Sequence, residues 1–218
     1  MDFNTSLTQT IKDSFTQYAG AVIQSRALVD VRDCVKPSAR QIYWCLYTDK
    51  FTSDKPFKKT LKAVGSSMRV YIHGDASCEG IIMRSGQPFS LRYPLVEVEG
   101  SYGNQTETGN WAASRYTSSR LSPLANYLID ETDNYDDTEQ YPRVLSSLGF
   151  YNIVNGSFGI AVGLASSIPQ FNLKEVNNAM IALLKDPDID EDKIICLPDF
   201  ATGGTIINKN EVIESLKK

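Results

Sequence analysis

One histidine, His73, is all that the 218 residues provide, which removes any His-rich metal centre and leaves room for a single His-based catalytic pair. There is no G-x-x-x-x-G-K-[ST] loop and no G-x-G-x-x-G after a strand, so the chain carries no evident nucleotide site and any ATP dependence has to come from elsewhere. The four cysteines, Cys34, Cys45, Cys78 and Cys196, form no C-x-x-C pair, and a chain of this length does not need disulfide staples, so free thiols in a reducing compartment are expected. Long apolar runs are missing too. The most apolar late stretch, 159–168, is too short and too rich in small residues to span a bilayer. The first twenty residues contain Asp2, Lys12 and Asp13, unlike a signal peptide. A soluble, cytoplasmic protein with no membrane association is the expectation.

The composition that remains, 42% hydrophobic and 22% charged with 14 Gly and 9 Pro, excludes disordered, collagenous and low-complexity classes. The length fits one large domain or two small ones, and two are expected. The net charge of −4 hides an uneven distribution. Residues 26–70 hold ten basic residues against four aspartates, a net +6, whereas 121–218 hold seven basic and fifteen acidic residues, a net −8. Such a dipolar chain can lay one face on a polyanion while the rest stays acidic, although solvated charge on helix faces gives the same counts.

Leu7, Ile11, Phe15, Tyr18 and Val22 lie at helical spacing and predict a helix over about 6–25. Pro37 starts a second helix running to about Asp49, and 58–71 reads as a third with Leu61, Val64 and Met68 inward. A short helix over 76–85 precedes two strand-like runs, 89–93 and 95–99. Basic helices followed by a short hairpin are the outline of a winged helix-turn-helix. The stretch 100–117, GSYGNQTETGNWAASRYT, reads as a long loop, and long loops are usually functional. A helix over 119–131 follows, then six acids without a base in 130–139. Beyond a boundary near 145 the pattern predicts strands at 151–154, 159–164, 194–196 and 205–207 and a helix over 173–185. The fold class is therefore α+β.

Most chemical constellations fail on inspection. Asp186, Asp188, Asp190 and Asp192 imitate a calcium loop, but its sixth position is Glu191 where Gly is needed and its twelfth is Leu197 where Glu is needed. His73, Asp75 and Ser77 are too close in sequence to meet as a triad. Arg115-Tyr116-Thr117, at the end of the glycine-rich loop, is more promising. A phenol with an ordinary pKa of ~10 is a poor nucleophile at neutral pH, yet it can accept a phosphoryl group where cations such as Arg115 or Arg32 stabilise its anion. Ten further tyrosines make packing the alternative reading for any one of them.

Several collinear blocks resemble the DNA-breakage (A-type) subunit of type IIA topoisomerases, nearest to the medium-subunit branch of the T-even bacteriophages. They are ALVDVRDCVKP at 27–37, HGD at 73–75, QPFSLRYPLV at 87–96, AASRYTSSRL at 112–121, NYDDT at 134–138, VNGSFGIAVG at 154–163 and PDF at 198–200. The resemblance implies an N-terminal helical arm over 1–25, a winged-helix DNA-gate domain over 26–145 and, over 146–218, the start of an α/β tower domain, the whole being an N-terminal fragment. It implies that Tyr116 attacks a backbone phosphate and becomes linked to a DNA 5′ end. Arg115, Arg32 and His73 would act at that phosphate, Lys36 and Arg40 would bind DNA, and Ile160 would wedge between base pairs. The implied partners are double-stranded DNA, a second copy of this chain and a separate ATPase and metal-binding subunit. Mg2+ and ATP would sit mainly on that other subunit.

Three departures from the family pattern stand out. Tyr71-Ile72-His73 lacks the usual second histidine before HGD, Ala76 stands where many members have Ser, and Thr117 is followed by Ser118 where Glu is common. Two competing readings are a winged helix that binds and bends DNA without cutting it, and an α+β protein with an incidental basic face.

Overall fold

Leu7–Val22 forms helix α1 and runs into a π-helical turn, Ile23–Ala27, shorter by a few residues than the predicted span. The computed structural model describes residues 6–129, 134–135, 141–145 and 149–217. The apolar stripe of α1 is not buried anywhere along its length, and the chain is first buried at Ala27. Helix α2 (Pro37–Thr48) is the centre of the molecule: Lys36 is its N-cap, Pro37 opens its first turn, and Ile42, Tyr43, Trp44, Cys45 and Leu46 are all buried. A helix apolar on every side has to be covered on every side. Burying Leu46 or Ile82, both fully enclosed, stabilises by roughly 2 kcal/mol each.

The cover comes from two helices and a sheet. β1 (Lys58–Lys59), β2 (Val96–Glu99) and β3 (Ser118–Leu121) form an antiparallel sheet in the order β1-β3-β2, and α3 (Thr60–Ser67) and α4 (Asp75–Ser85) pack with α2. Helix, strand, two helices, then two strands joined by a long loop is the winged helix-turn-helix, so the chain is α+β as expected. In β3 burial alternates, with Ser119 and Leu121 inward, while outward Arg120 sits opposite Glu97 and donates from Nε to its Oε2 at 2.7 Å.

The wing is not where the hydrophobic pattern put it. Residues 89–93 form no strand, and the hairpin partner of β2 is β3, with the wing being the whole loop 100–117 between them. The expected helix over 58–71 begins with β1, and of its three inward positions only Val64 is buried, Leu61 and Met68 being exposed. The expected helix over 119–131 is instead β3 followed by α5 (Pro123–Leu128), whose N-cap Ser122 accepts the Ala125 amide at 3.3 Å.

β4 (Asn134–Tyr135) pairs with β5 (Pro142–Val144), and most of the acidic stretch 130–139 and of the NYDDT block lies outside the described residues. A 3-10 segment, Gly149–Asn155, replaces the predicted strand at 151–154. The predicted strand at 159–164 is half of a hairpin, β6 (Ser157–Ile160) with β7 (Ala165–Ile168). Its turn carries Gly163 at φ +73° and is closed by the Ala161 amide on the Leu164 carbonyl at 2.8 Å. α6 (Leu173–Lys185) occupies the predicted span, with Asn172 as a side-chain cap. Neither 194–196 nor 205–207 forms a strand, the nearest β feature being the single bridge Phe171 to Pro198, and α7 (Lys209–Leu216) follows. No helix among the described residues is long and apolar enough to cross a membrane.

Residues 87–93 fail as a strand because their polar groups are committed elsewhere. Asn155 takes both main-chain groups of Tyr93, at 2.7 and 2.9 Å, the Gln170 amide donates to the Ser90 carbonyl at 2.6 Å, and Arg92 pairs with Asp199 at 3.1 Å. A small cluster of Val154, Phe171 and Val176 packs beside Tyr93 at this joint, separate from the main core around α2.

Candidate active site

Tyr116 lies at the end of the wing, just before β3, with 67% of its surface exposed. The Arg115 guanidinium sits 5.0 Å from the centre of its ring, a cation held over a π-face. The next residue, Thr117, is fully buried. The turn is closed by the Tyr116 amide on the Ala113 carbonyl at 2.8 Å, and it is fastened to α3 by Leu61 N–H on Ser114 O and Thr60 N–H on Thr117 O, both at 3.0 Å. An exposed phenol with a cation beside it is the pairing that attack on a phosphate calls for.

A second cationic group forms at the loop before α2. Asp30 and Val35 close this loop, with the Cys34 amide on the Asp30 carbonyl at 2.7 Å and Cys34 itself at φ +52°. Arg32 stands at its exposed tip, where Asp30 grips it at two points, Nε to Oδ1 at 2.9 Å and Nη2 to Oδ2 at 2.7 Å. Hydrogen bonds from the Arg32 side chain hold the Asp30 carboxyl down from 3.8 to about 2. Lys36 donates from Nζ to the Phe158 carbonyl, and burial pulls its ammonium pKa down.

Arg40 corrects one expectation. It is only 5% exposed, and its Nε and Nη2 are committed to Asp33 (Nε to Oδ2 2.6 Å, Nη2 to Oδ1 2.8 Å) and to the Val35 carbonyl (Nη2, 2.8 Å). The charge that composition counted as part of a basic face is inside, neutralised by a buried aspartate.

His73 is exposed, just before α4, its ring 4.3 Å from that of Tyr71. It borders a cleft of about 510 Å³ that is also lined by Arg26, Ser38 and Gln41. Among the described residues no hydrogen bond or ion pair joins Tyr116 to Arg32 or to His73, so the chain presents these groups separately.

Ile160 is the last residue of β6, 64% exposed at the hairpin tip, with exposed Phe158 and Leu164 nearby in the same hairpin. The hairpin is held against the end of the π-turn, where Ser166 Oγ donates to the Ala27 carbonyl at 3.0 Å. Gly159 makes this approach possible: a Cβ there would lie 2.2 Å from the same carbonyl oxygen.

Sequence reasoning misses Gln87. Fully buried, its amide donates to the Tyr102 and Thr108 carbonyls, both at 2.7 Å, and its Oε1 accepts the Ser90 hydroxyl at 2.8 Å, so one side chain orders the wing. No periodicity marks such a residue. It misses Asp30 too, although Asp two positions before an exposed Arg in a tight turn is a legible pairing signal.

The family described as the A subunit of DNA gyrase/topoisomerase IV matches residues 26–218. The chain is 43% identical over 210 residues to the DNA gyrase A subunit of Leptospira biflexa, covering 90% of this chain and 25% of that protein. It is 40% identical over 219 residues to the DNA gyrase A subunit of Staphylococcus aureus, covering 95% and 25%. With the DNA topoisomerase 4 A subunit of a Synechocystis species it shares 37% over 224 residues, 97% of this chain and 24% of that protein. The chain thus spans about a quarter of the length of the curated relatives it matches.

Proposed function

Because this chain belongs to the family of DNA gyrase and topoisomerase IV A subunits, we propose that it is the DNA breakage and reunion part of a type IIA topoisomerase, with Tyr116 as nucleophile. The observation that carries the reading is the exposed Arg115-Tyr116 pair on a turn fastened at both flanks, at the end of the wing of a winged helix. Tyr116 Oη loses its proton as it attacks a backbone phosphorus, the P–O3′ bond breaks, the 3′ oxygen takes up one proton in exchange, and the DNA 5′ end remains on the tyrosine as a phosphodiester. Attack by the same 3′ hydroxyl reverses the step and reseals the strand. Arg115 and Arg32 stabilise the charge that grows on the phosphoryl oxygens, and His73 stands at the same phosphate.

Among the described residues no three metal-ligating side chains cluster. Mg2+ and ATP are assigned to a separate partner subunit. A second copy of this chain supplies the other half of a double-strand break, and the setting is the cytoplasm. The domain reading is an N-terminal helical arm (1–25), a DNA-gate domain (26–145) and the start of a tower (146–218). Within the family the T-even bacteriophage branch is the finer reading of the motif blocks, while the relatives matched above are bacterial A subunits.

Assembled with a metal-binding partner subunit, Mg2+ and supercoiled DNA, the protein should trap a covalent protein-DNA adduct, and Tyr116→Phe should abolish it with little change in DNA affinity. An adduct that survives Tyr116→Phe assigns the chemistry to another residue. No adduct from the unmodified protein, with DNA bending intact, makes the chain a non-catalytic bending module.

A further inference from the structure

We infer that the first turn of α3 positions the nucleophile, with Thr60 acting through its main-chain amide as a positioning residue for Tyr116; this rests on the reading of Tyr116 given above. The first amides of any helix lack partners inside the helix. In α3 two of them are spent on the carbonyls that bracket Arg115-Tyr116: Leu61 N–H on Ser114 O and Thr60 N–H on Thr117 O. Both catalytic candidates therefore lie between two fixed points, while Tyr116 itself stays exposed.

The rest of the surroundings confine the turn further. Ser118 is paired with Lys59, and Thr117 is fully buried against Gly100, whose φ of +101° lets the other arm of the wing pass by. The hydroxyls of Thr60 and Thr117 are both buried and have no hydrogen-bond partner among the described residues, so the fastening runs through the backbone and not through these side chains. A main-chain hydrogen bond adds little net stability, although losing its donor leaves the carbonyl of buried Thr117 unpaired at some cost. Misplacement of a reacting group by about 1 Å, in contrast, costs on the order of 10²-fold in rate. A fastening of this kind is therefore read out in the rate of cleavage beyond whatever it contributes to folding.

Thr60→Pro removes the amide donor together with the threonine side chain, whose own contribution Thr60→Val isolates. Proline is tolerated at the first helical position, and Lys59, at φ −54° and ψ 132°, already has the extended conformation that a residue before proline needs. In the full-length protein, together with its partner subunit, Mg2+ and saturating supercoiled DNA, the rate of adduct formation should fall about 10-fold or more. DNA affinity should stay within about 2-fold and the shape of the pH-rate profile should not change, since one uncharged amide is lost and no phosphate contact. Thr60→Val, which keeps the amide, restores the rate. Replacing the amide at position 60 by an ester, by semisynthesis, has the same expected result and serves if the proline variant does not fold. A Thr60→Pro or ester protein that cleaves at the unmodified rate overturns the proposal, as does a loss of affinity equal to the loss of rate. Tyr116→Phe run alongside separates the two readings: if it is inactive while Thr60→Pro is fully active, only the positioning role falls. If Tyr116→Phe still forms the adduct, both fall.

Discussion

Asp33 and Arg40 form a buried two-point ion pair, Nε to Oδ2 at 2.6 Å and Nη2 to Oδ1 at 2.8 Å, that ties together three stretches of chain. The carboxylate also accepts the amides of Val35 and Leu145, both at 3.0 Å, and Nη2 of the guanidinium also donates to the Val35 carbonyl at 2.8 Å. The loop bearing Arg32, the start of α2 and the strand before Leu145 share this pair as a common anchor.

Arg40→Ala leaves Asp33 buried without its partner, and breaking such a pair costs about 3–5 kcal/mol. Urea unfolding should show that loss, and DNA affinity should decline only with the folded fraction. An Arg40→Ala protein of normal stability that bound DNA weakly would return this guanidinium to the phosphate-contacting surface.

Arg32, at an exposed loop tip, and Arg115, beside the exposed phenol, are the opposite of Arg40. Arg32→Ala and Arg115→Ala should each slow adduct formation by about 10²-fold or more, by removing a fixed positive charge from the transition state. Binding should fall much less. Equal losses of rate and affinity would make both residues ordinary phosphate anchors.

The Asp30 carboxyl, held by Arg32 at about 2 against an ordinary 3.8, fixes the sign of an acid response. A carboxyl whose folded pKa lies below its unfolded value supports the folded arrangement fully above the unfolded pKa, and the support fades as pH falls through the folded one. The grip on Arg32 should therefore be intact at neutral pH, hold through about pH 4 and release only near pH 2. An NMR titration of the Asp30 carboxyl carbon checks this, and a midpoint near the ordinary 3.8 would show that Arg32 is not held.

Residues whose role follows from local spacing were legible. Pro37 at a helix start and the apolar stripe of α6 each announce themselves. What misled the pattern was long-range pairing. Residues 89–93 alternate like a strand, yet their hydrogen bonds go to Asn155, Gln170 and Asp199, 62, 80 and 107 positions away. In 118–121 the partner strands are β1 and β2, and helical spacing of the leucines in 121–129 hid the Ser122-Pro123 cap that starts α5. At the site, Tyr116 and Arg115 are adjacent in sequence and so were readable together, whereas the Asp33-Arg40 pair shows that counting charge by segment cannot tell an exposed arginine from a buried one.

Ile160 supplies the last test. An isoleucine among Gly, Ala and Val reads from sequence as core, and a buried one loses roughly 2–5 kcal/mol on truncation to alanine. Here the side chain is 64% exposed at the end of β6, so truncation removes little buried surface. The hairpin behind it is braced, with Gly159 against the Ala27 carbonyl, Ser166 Oγ bonded to that same oxygen and Lys36 on the Phe158 carbonyl. A braced hairpin with an apolar tip can separate a base step, which costs a few kcal/mol and is repaid as the bent duplex meets more protein surface. Ile160→Ala should accordingly reduce DNA bending, measured by energy transfer between labelled duplex ends, and reduce adduct formation with it, while the melting temperature stays within a degree or two of the unmodified protein. A large fall in melting temperature with normal bending would put Ile160 in the core and end the wedge assignment.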